Sequence, residues 1–217
     1  NRTYTLPQLY SYRAENSAVL YNASSMLLLP DLLGYFLTGV KTTEMTIAGT
    51  SCLMENRQEN WSIEVARRFG IPEKLYTEIV EPRTFKGNLR QEIQIQTGMK
   101  NTRLVATVGH DSAAAVAAIP DFGENKLYIS IGTNVSMGVE RSECLLSREG
   151  YLKGFKNTGG IDRKKIIYRD FSACWHLNEF IRTRKEQGIT YSFVDLINMA
   201  LEVKNPVPWF DVEVLSF

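Results

Sequence analysis

Residues 104–120 read LVATVGHDSAAAVAAIP, and no other segment indicates the fold class of the chain as clearly. The near-continuous apolar run at its start, in which four of the five residues 104–108 are apolar, is typical of a strand that is buried on both faces in a parallel sheet. The turn Gly109-His110-Asp111 follows, and the alanine-rich run 112–118 predicts a helix. Strand, turn and helix in this order predict an α/β domain. Asp111 would then lie at the carboxyl end of a strand, where open α/β sheets bind their ligands.

The hydrophobic period changes after this helix. Residues 121–125 are polar and turn-forming, so we place a domain boundary there, with one domain at 1–120 and another at 121–217. Residues 127–139 alternate between apolar and polar side chains on either side of Gly132-Thr133-Asn134. This alternation predicts a β-hairpin with a small polar tip.

Helical periodicity is found in much of the remaining chain. The spacing of apolar residues predicts helices within 18–37, with a cap at 23–25 and an end at Gly39, and at 61–69, 167–181 and 193–201. Residues 42–51 form a polar stretch. We interpret the basic run Arg163-Lys164-Lys165 as a solvated helix face.

The composition is that of an ordinary globular protein. The 217 residues are 44% hydrophobic. The chain contains 25 Lys and Arg and 24 Asp and Glu, which gives a net charge of +1. Such a balance provides no long-range field for a polyanion, so neither nucleic acid nor a membrane surface is expected as a partner. The longest apolar stretch, 26–37, is interrupted by Pro30 and Asp31, which argues against a spanning helix. The sequence leaves the oligomeric state open.

The cysteines give a further indication of the cellular compartment. Cys52, Cys144 and Cys174 are odd in number and far apart, so they predict neither a disulfide framework nor a zinc site. This usage favours a reducing, cytoplasmic location. No HExxH motif or acidic cluster accompanies the two histidines, so we expect no metal site built by this chain alone.

Two interpretations of the turn before the alanine-rich helix stay open. Asp111 could cap the helix by accepting backbone N–H bonds, or it could act as a general base that accepts a proton from a substrate hydroxyl. His110 could be a structural hydrogen-bonding residue, or it could point into a ligand cleft.

The tip of the predicted hairpin is open to two interpretations as well. A glycine at position 132 would let the backbone approach phosphate oxygens, and Thr133 would add an uncharged donor. Gly-Thr-Asn is also an ordinary turn sequence. The chain contains neither GxxxxGK[ST] nor GxGxxG, so both common phosphate-loop fingerprints are excluded.

Together these segments resemble the FGGY carbohydrate kinases, and among them the rhamnulokinases. The residues that carry the resemblance are LPDLLGYFLTG at 29–39, VGHDS at 108–112, YISIGT at 128–133 and NTGG at 157–160. The resemblance implies a two-lobed, actin-like ATPase fold related to ribonuclease H. This chain would cover the later part of the first, sugar-binding lobe and the early part of the second, ATP-binding lobe.

The resemblance also implies roles for particular residues. Asp111 would be the general base on the sugar hydroxyl, with His110, Ser112 and Asp170 as substrate contacts. Gly132, Thr133 and Asn178 would bind ATP. The implied cofactors are ATP and Mg²⁺, with the metal ligands expected mainly outside this chain.

The resemblance therefore implies an ATP-dependent kinase that phosphorylates a sugar, with a ketose such as L-rhamnulose as the expected substrate. Three positions depart from the rhamnulokinase pattern: Asn134 replaces a Trp, Asp170 an Asn, and Asn178 a Gln. These changes keep an alternative open, a non-catalytic family member that binds a sugar or a protein. The family's Asp-Gly-Thr phosphate hairpin and glycine-rich adenosine site are not found here, so we expect the isolated 217-residue chain to be inactive.

Overall fold

The computed structural model describes residues 4–120, 126–132, 134–172 and 174–205. The helices are α1 (Thr5–Ala14), α2 (Ala18–Asn22), α3 (Leu29–Thr38), α4 (Met45–Ala48), α5 (Ile63–Phe69), α6 (Gln91–Thr97), α7 (Asp111–Ala117), α8 (Arg148–Leu152), α9 (Cys174–Glu186) and α10 (Phe193–Glu202). The strands are β1 (Thr42–Glu44), β2 (Met54–Glu55), β3 (Asn60–Trp61), β4 (Glu78–Val80), β5 (Phe85–Asn88), β6 (Arg103–Val105), β7 (Leu127–Ile131), β8 (Asn134–Arg141), β9 (Lys156–Gly159) and β10 (Lys165–Ser172).

The chain divides into two compact units. The first contains Asn1–Lys126 and Val139–Ile167, and the second contains Leu127–Gly138 and Tyr168–Phe217. The domain boundary at 121–125 lies outside the described residues and stays a prediction. Residues 139–167, which follow that boundary, group with the first unit.

Ion pairs help to explain why residues 139–167 group with the first unit. Arg163 Nε lies 2.7 Å from Glu81 Oε1, and Lys165 Nζ contacts Glu59. The third cation, Lys164, pairs within the same segment, where its Nζ lies 2.9 Å from Glu140 Oε2. The prediction of a solvated helix face at 163–165 is therefore wrong. These residues lie at the end of a 3₁₀ turn and the start of β10, and each pairs with a different glutamate.

The hydrophobic core of the first unit lies between α1, α2 and α5. Among the described residues it includes two clusters of buried residues, which share partly buried neighbours from α1 and from the segment after α2: Leu20, Ala66, Ile71 and Leu75 in one cluster, and Ala48, Leu53 and Trp61 in the other. Tyr76 packs against both and stacks on Trp61, with ring centroids 4.8 Å apart.

Helix α3 begins later than its predicted cap. Residues 23–28 are not helical, because the Met26 N–H donates to the Leu75 carbonyl at 2.7 Å and fixes this segment beside the core. The cap at 23–25 is therefore wrong. The predicted end at Gly39 is confirmed: this residue adopts φ 83°, a left-handed conformation that glycine tolerates without strain.

The strand before the alanine-rich helix also differs from its prediction. Strand β6 pairs with β5 in antiparallel orientation, and Val105 is half exposed. The predicted parallel strand buried on both faces is therefore wrong at this position. A parallel pair forms instead between β1 and β4, with Glu44 opposite Val80. Helix α7 is confirmed, and it buries Ala113 and Val116.

The later strands form a sheet in the order β7-β8-β10-β9. The hairpin strands β7 and β8 are confirmed, as is helix α10, which begins at a capping box formed by Ser192 and Asp195. The helix predicted at 167–181 is wrong in its first part. Residues 167–172 belong to β10, where a β-branched and aromatic sequence pairs with neighbouring strands, and α9 begins at Cys174.

Across the described ranges, no helix combines the length and the apolar character that crossing a bilayer requires.

Candidate active site

The turn before α7 brings His110, Asp111 and Ser112 together. Asp111 is the first residue of α7, and its side chain is 96% exposed. The Ser112 N–H donates to Asp111 Oδ1 at 2.7 Å, and the Ser112 hydroxyl lies 3.4 Å from the same oxygen. His110 Nε2 lies 3.7 Å from it. The three residues therefore present a carboxylate, an imidazole and a hydroxyl within one turn.

This geometry bears on the two interpretations of Asp111. The N-cap of α7 is His110, and its side chain makes no capping hydrogen bond. Asp111 accepts the amide of the next residue, which is a local bond that leaves the carboxylate in contact with solvent. Its position is therefore fixed mainly by the backbone that precedes it.

That backbone is bound to a buried carboxylate. The Gly109 N–H donates to Glu44 Oε2 at 2.9 Å, and the His110 N–H donates to Thr46 Oγ1 at 3.2 Å. The Thr46 hydroxyl in turn donates to Glu44 Oε2 at 2.5 Å. Glu44 is 2% exposed and Thr46 is fully buried. Two consecutive amides of the turn are thus held by one acidic side chain and one hydroxyl.

Glu44 reaches the turn because of its place at the junction of β1 and α4. It is the N-cap of α4, and its carboxylate accepts the amides of Thr46 and Ile47 at 2.9 and 3.2 Å. A carboxylate at this position satisfies amides that the first turn of a helix leaves without a partner. Its own N–H donates to Asp31 Oδ1 at 3.1 Å.

Asp31 belongs to a buried ion pair behind Glu44. Lys86 Nζ lies 2.7 Å from Asp31 Oδ1, and both side chains are at least 95% buried. Burial raises the pKa of Asp31 above its usual value, and the hydrogen bond and charge of Lys86 oppose this effect. The pair borders a cavity of about 180 Å³ whose wall also includes Leu33, Leu104 and Gly109.

Asp31, Glu44, Thr46 and Lys86 contribute to the site although the sequence does not predict their involvement. Residues 42–51 form a polar stretch in the sequence, yet most of this segment is buried. Only one local signal was available: an acidic residue directly before a short apolar segment, which is the pattern of an N-cap. The bond between Glu44 and Gly109 spans 65 residues and leaves no periodic trace in the sequence.

The remaining predicted site residues belong to the second unit, whereas His110, Asp111 and Ser112 belong to the first. Gly132 is exposed directly after β7, and Asn178 is exposed on α9. Asp170 is exposed on β10. The pKa of Tyr128 is raised above its usual value, mainly by burial. The hydrogen bond with Ser136 opposes this shift, and the charge of Asp170 adds to it. Thr133 lies outside the described residues.

Within residues 4–120, 126–132, 134–172 and 174–205, no three His, Cys, Asp or Glu side chains converge to form a possible metal site. The Mg²⁺ implied by the resemblance thus finds no ligand cluster in this part of the chain, and we assign no step to it.

Known proteins share both sequence and backbone with this chain. The model of the FGGY family of carbohydrate kinases, N-terminal domain, matches residues 2–118. Rhamnulokinases of Oceanobacillus iheyensis and Bacteroides thetaiotaomicron are 32% and 33% identical over 90% of this chain. The alignments cover 41% and 40% of those proteins, so the chain spans about two fifths of their length.

A solved structure gives the fold. The crystal structure of Plasmodium falciparum glycerol kinase with ADP superimposes with a TM-score of 0.71 at 16% identity, covering 85% of this chain and 38% of that one. This likeness confirms the predicted α/β, actin-like ATPase fold, of which the chain is an incomplete part. Because the family model matches more than half of the residues, the chain belongs to the FGGY family of carbohydrate kinases.

Proposed function

We propose that this chain is part of an ATP-dependent carbohydrate kinase in which Asp111 is the general base. The observation that supports this proposal best is the exposed carboxylate of Asp111, which follows a turn bound to buried side chains in the N-terminal domain of the family. Such an arrangement combines access for a substrate with a defined position.

The proposed chemistry suits an ordinary carboxylate. Phosphoryl transfer depends chiefly on in-line positioning and on stabilisation of charge, so the base needs no unusual strength. Asp111 would accept the proton of the sugar hydroxyl while the oxygen of that hydroxyl bonds to the γ-phosphorus of ATP. The bond from that phosphorus to the bridging oxygen breaks, and ADP leaves with the electron pair. His110 and Ser112 would orient the hydroxyl.

The nucleotide would bind residues of the second unit. Gly132 is exposed directly after β7, so its backbone is accessible to phosphate oxygens. Thr133 would add a hydroxyl donor, and the amide of Asn178 would contact the nucleotide. The glycerol kinase that shares the fold was solved with ADP, which supports an adenine nucleotide here.

We propose a ketose, L-rhamnulose, as the sugar, with phosphorylation at a primary hydroxyl. The support is the identity of 32–33% to two rhamnulokinases over 90% of the chain. We also propose a cytoplasmic location, and that the 217-residue chain alone is inactive. Activity would then require the complete kinase polypeptide that contains these residues.

The test is release of ADP from Mg-ATP by that complete polypeptide in the presence of L-rhamnulose or other ketoses. We expect ketose-dependent ADP release by the complete polypeptide and none by the 217-residue chain. Calorimetry with a ketose, with and without a non-hydrolysable ATP analogue, should show that each ligand changes the affinity for the other. Ketose binding without such coupling and without ADP release would contradict the proposal and favour a non-catalytic binding protein.

A further inference from the structure

Two consecutive backbone amides of the Asp111 turn are bound by side chains from a distant part of the sequence. Gly109 and His110 donate to Glu44 and Thr46, across 65 and 64 residues. The approach is close: a Cβ on Gly109 would lie 3.0 Å from Glu44 Oε2 and 3.4 Å from Ile47. A side chain at position 109 would therefore force the Glu44 carboxylate or the turn to shift.

Capping of α4 does not account for this arrangement. The cap needs only the bonds from the amides of Thr46 and Ile47 to Glu44. Glu44 Oε2 accepts the Gly109 amide in addition, and the Thr46 hydroxyl accepts the His110 amide while it donates to Glu44. Glu44 and Thr46 thus bind the turn before Asp111 as well as the helix that Glu44 caps.

The other side of Asp111 is fixed by packing. Ala113 and Val116 of α7 are buried, so Asp111 lies between a bound turn and a packed helix. Its own side chain contacts only the adjacent residues His110 and Ser112 among those described. The position of the carboxylate therefore depends on the backbone, and the backbone depends on Glu44 and Thr46.

We infer that Glu44 and Thr46 are positioning residues that set the location of the Asp111 carboxylate relative to the sugar hydroxyl. This inference rests on the proposed function of Asp111. A misplaced base loses rate even when substrate still binds, since a displacement of about 1 Å can cost about 100-fold. Loss of the turn contacts should thus lower kcat more than it changes KM.

The variants follow from the hydrogen bonds. Thr46→Val removes the hydroxyl at nearly constant volume, whereas Thr46→Ser keeps it. Thr43→Val is the matched control: Thr43 is equally buried on β1, but its hydroxyl pairs with Thr77 at 2.7 Å and does not contact the turn.

In the complete polypeptide, we expect Thr46→Val to lower kcat about 10- to 100-fold, with KM for the ketose within about 3-fold. Thr46→Ser should restore most of kcat, and Thr43→Val should leave it near wild type. If the wild type is active and neither Thr46→Val nor Thr43→Val changes kcat, the inference is overturned while the proposed function stands.

A second readout does not depend on activity. In the 217-residue chain, the amides of Gly109 and His110 should exchange with solvent at least about 100-fold more slowly than in an unstructured peptide. Unprotected amides in the wild type would overturn the inference, even if Thr46→Val failed to fold. If the amides were protected but the complete polypeptide phosphorylated no ketose, the proposed function would fail, and with it the catalytic part of the inference.

Discussion

The amide of Gly109 lies 2.9 Å from Oε2 of Glu44, although 65 residues separate them in the sequence. This contact joins the end of β1 to the turn that precedes Asp111. It explains why residue 109 is a glycine, since a Cβ there would lie 3.0 Å from the same oxygen. It also links the exposed candidate base to the buried interior of the first unit.

The first prediction concerns that close approach. Gly109→Ala should lower the free energy of unfolding of the 217-residue chain by about 1–3 kcal/mol, because the new methyl group would displace the Glu44 carboxylate. Gly159→Ala is the control, since its Cβ would meet Met45 and Thr46 at 3.6 Å, an ordinary contact distance. Urea unfolding measures both. Equal effects of the two variants would contradict the packing described here.

The second prediction concerns the buried pair of Asp31 and Lys86. Asp31→Asn should cost about 3–5 kcal/mol of unfolding free energy, because it leaves the Lys86 charge buried without its partner. Adding Lys86→Met should recover part of this loss. The double-mutant cycle would then show a coupling energy above about 1 kcal/mol.

An exposed pair provides the comparison for that cycle. Arg67 and Glu73 lie 2.8 Å apart, but their side chains are 73% and 44% exposed. The double-mutant cycle of Arg67 and Glu73 should give a coupling energy of at most about 1 kcal/mol. A coupling between Asp31 and Lys86 no larger than this value would show that the two charges are hydrated.

The third prediction concerns the pH dependence of stability. Burial raises the pKa of Tyr76 to about 12. The neutral phenol is thus favoured in the folded chain, so stability is retained below pH 10, the ordinary value, and lost as pH rises towards 12. The unfolding free energy of the wild type should fall relative to that of Tyr76→Phe above pH 10. A constant difference would contradict the raised pKa.

Near neutral pH, Tyr76→Phe should change stability by less than about 1 kcal/mol, because the Tyr76 hydroxyl has no hydrogen-bond partner among the described residues. The phenylalanine ring at position 76 would still stack on Trp61. Urea unfolding near neutral pH measures this difference.

Local patterns predicted the elements that depend on local interactions. Helix α7 follows from its alanines, the β7–β8 hairpin from its alternation, and α10 from its apolar spacing. Where long-range pairing decides the structure, the local pattern was misleading. Strand β10 was predicted as the start of a helix, since its strand neighbours β8 and β9 cannot be identified from its own sequence.

The same distinction holds for the candidate site. His110, Asp111 and Ser112 are adjacent in the sequence, so they could be predicted together. Glu44 and Thr46 could not, because a polar residue in a polar stretch does not reveal that it is buried. Their burial depends on the packing of α4 against β1 and β9, and their partner amides are more than 60 residues away.

The most direct test of the central claim replaces Asp111 with Asn in the complete kinase polypeptide and measures ketose-dependent ADP release. We expect kcat to fall at least about 100-fold, because the amide cannot accept the hydroxyl proton. Stability of the 217-residue chain should change by less than about 0.5 kcal/mol, since the side chain is exposed. Glu92→Gln, which alters another exposed acid in a first helical turn, should leave kcat unchanged. Turnover near the wild-type rate in Asp111→Asn would contradict the assignment of Asp111 as the base.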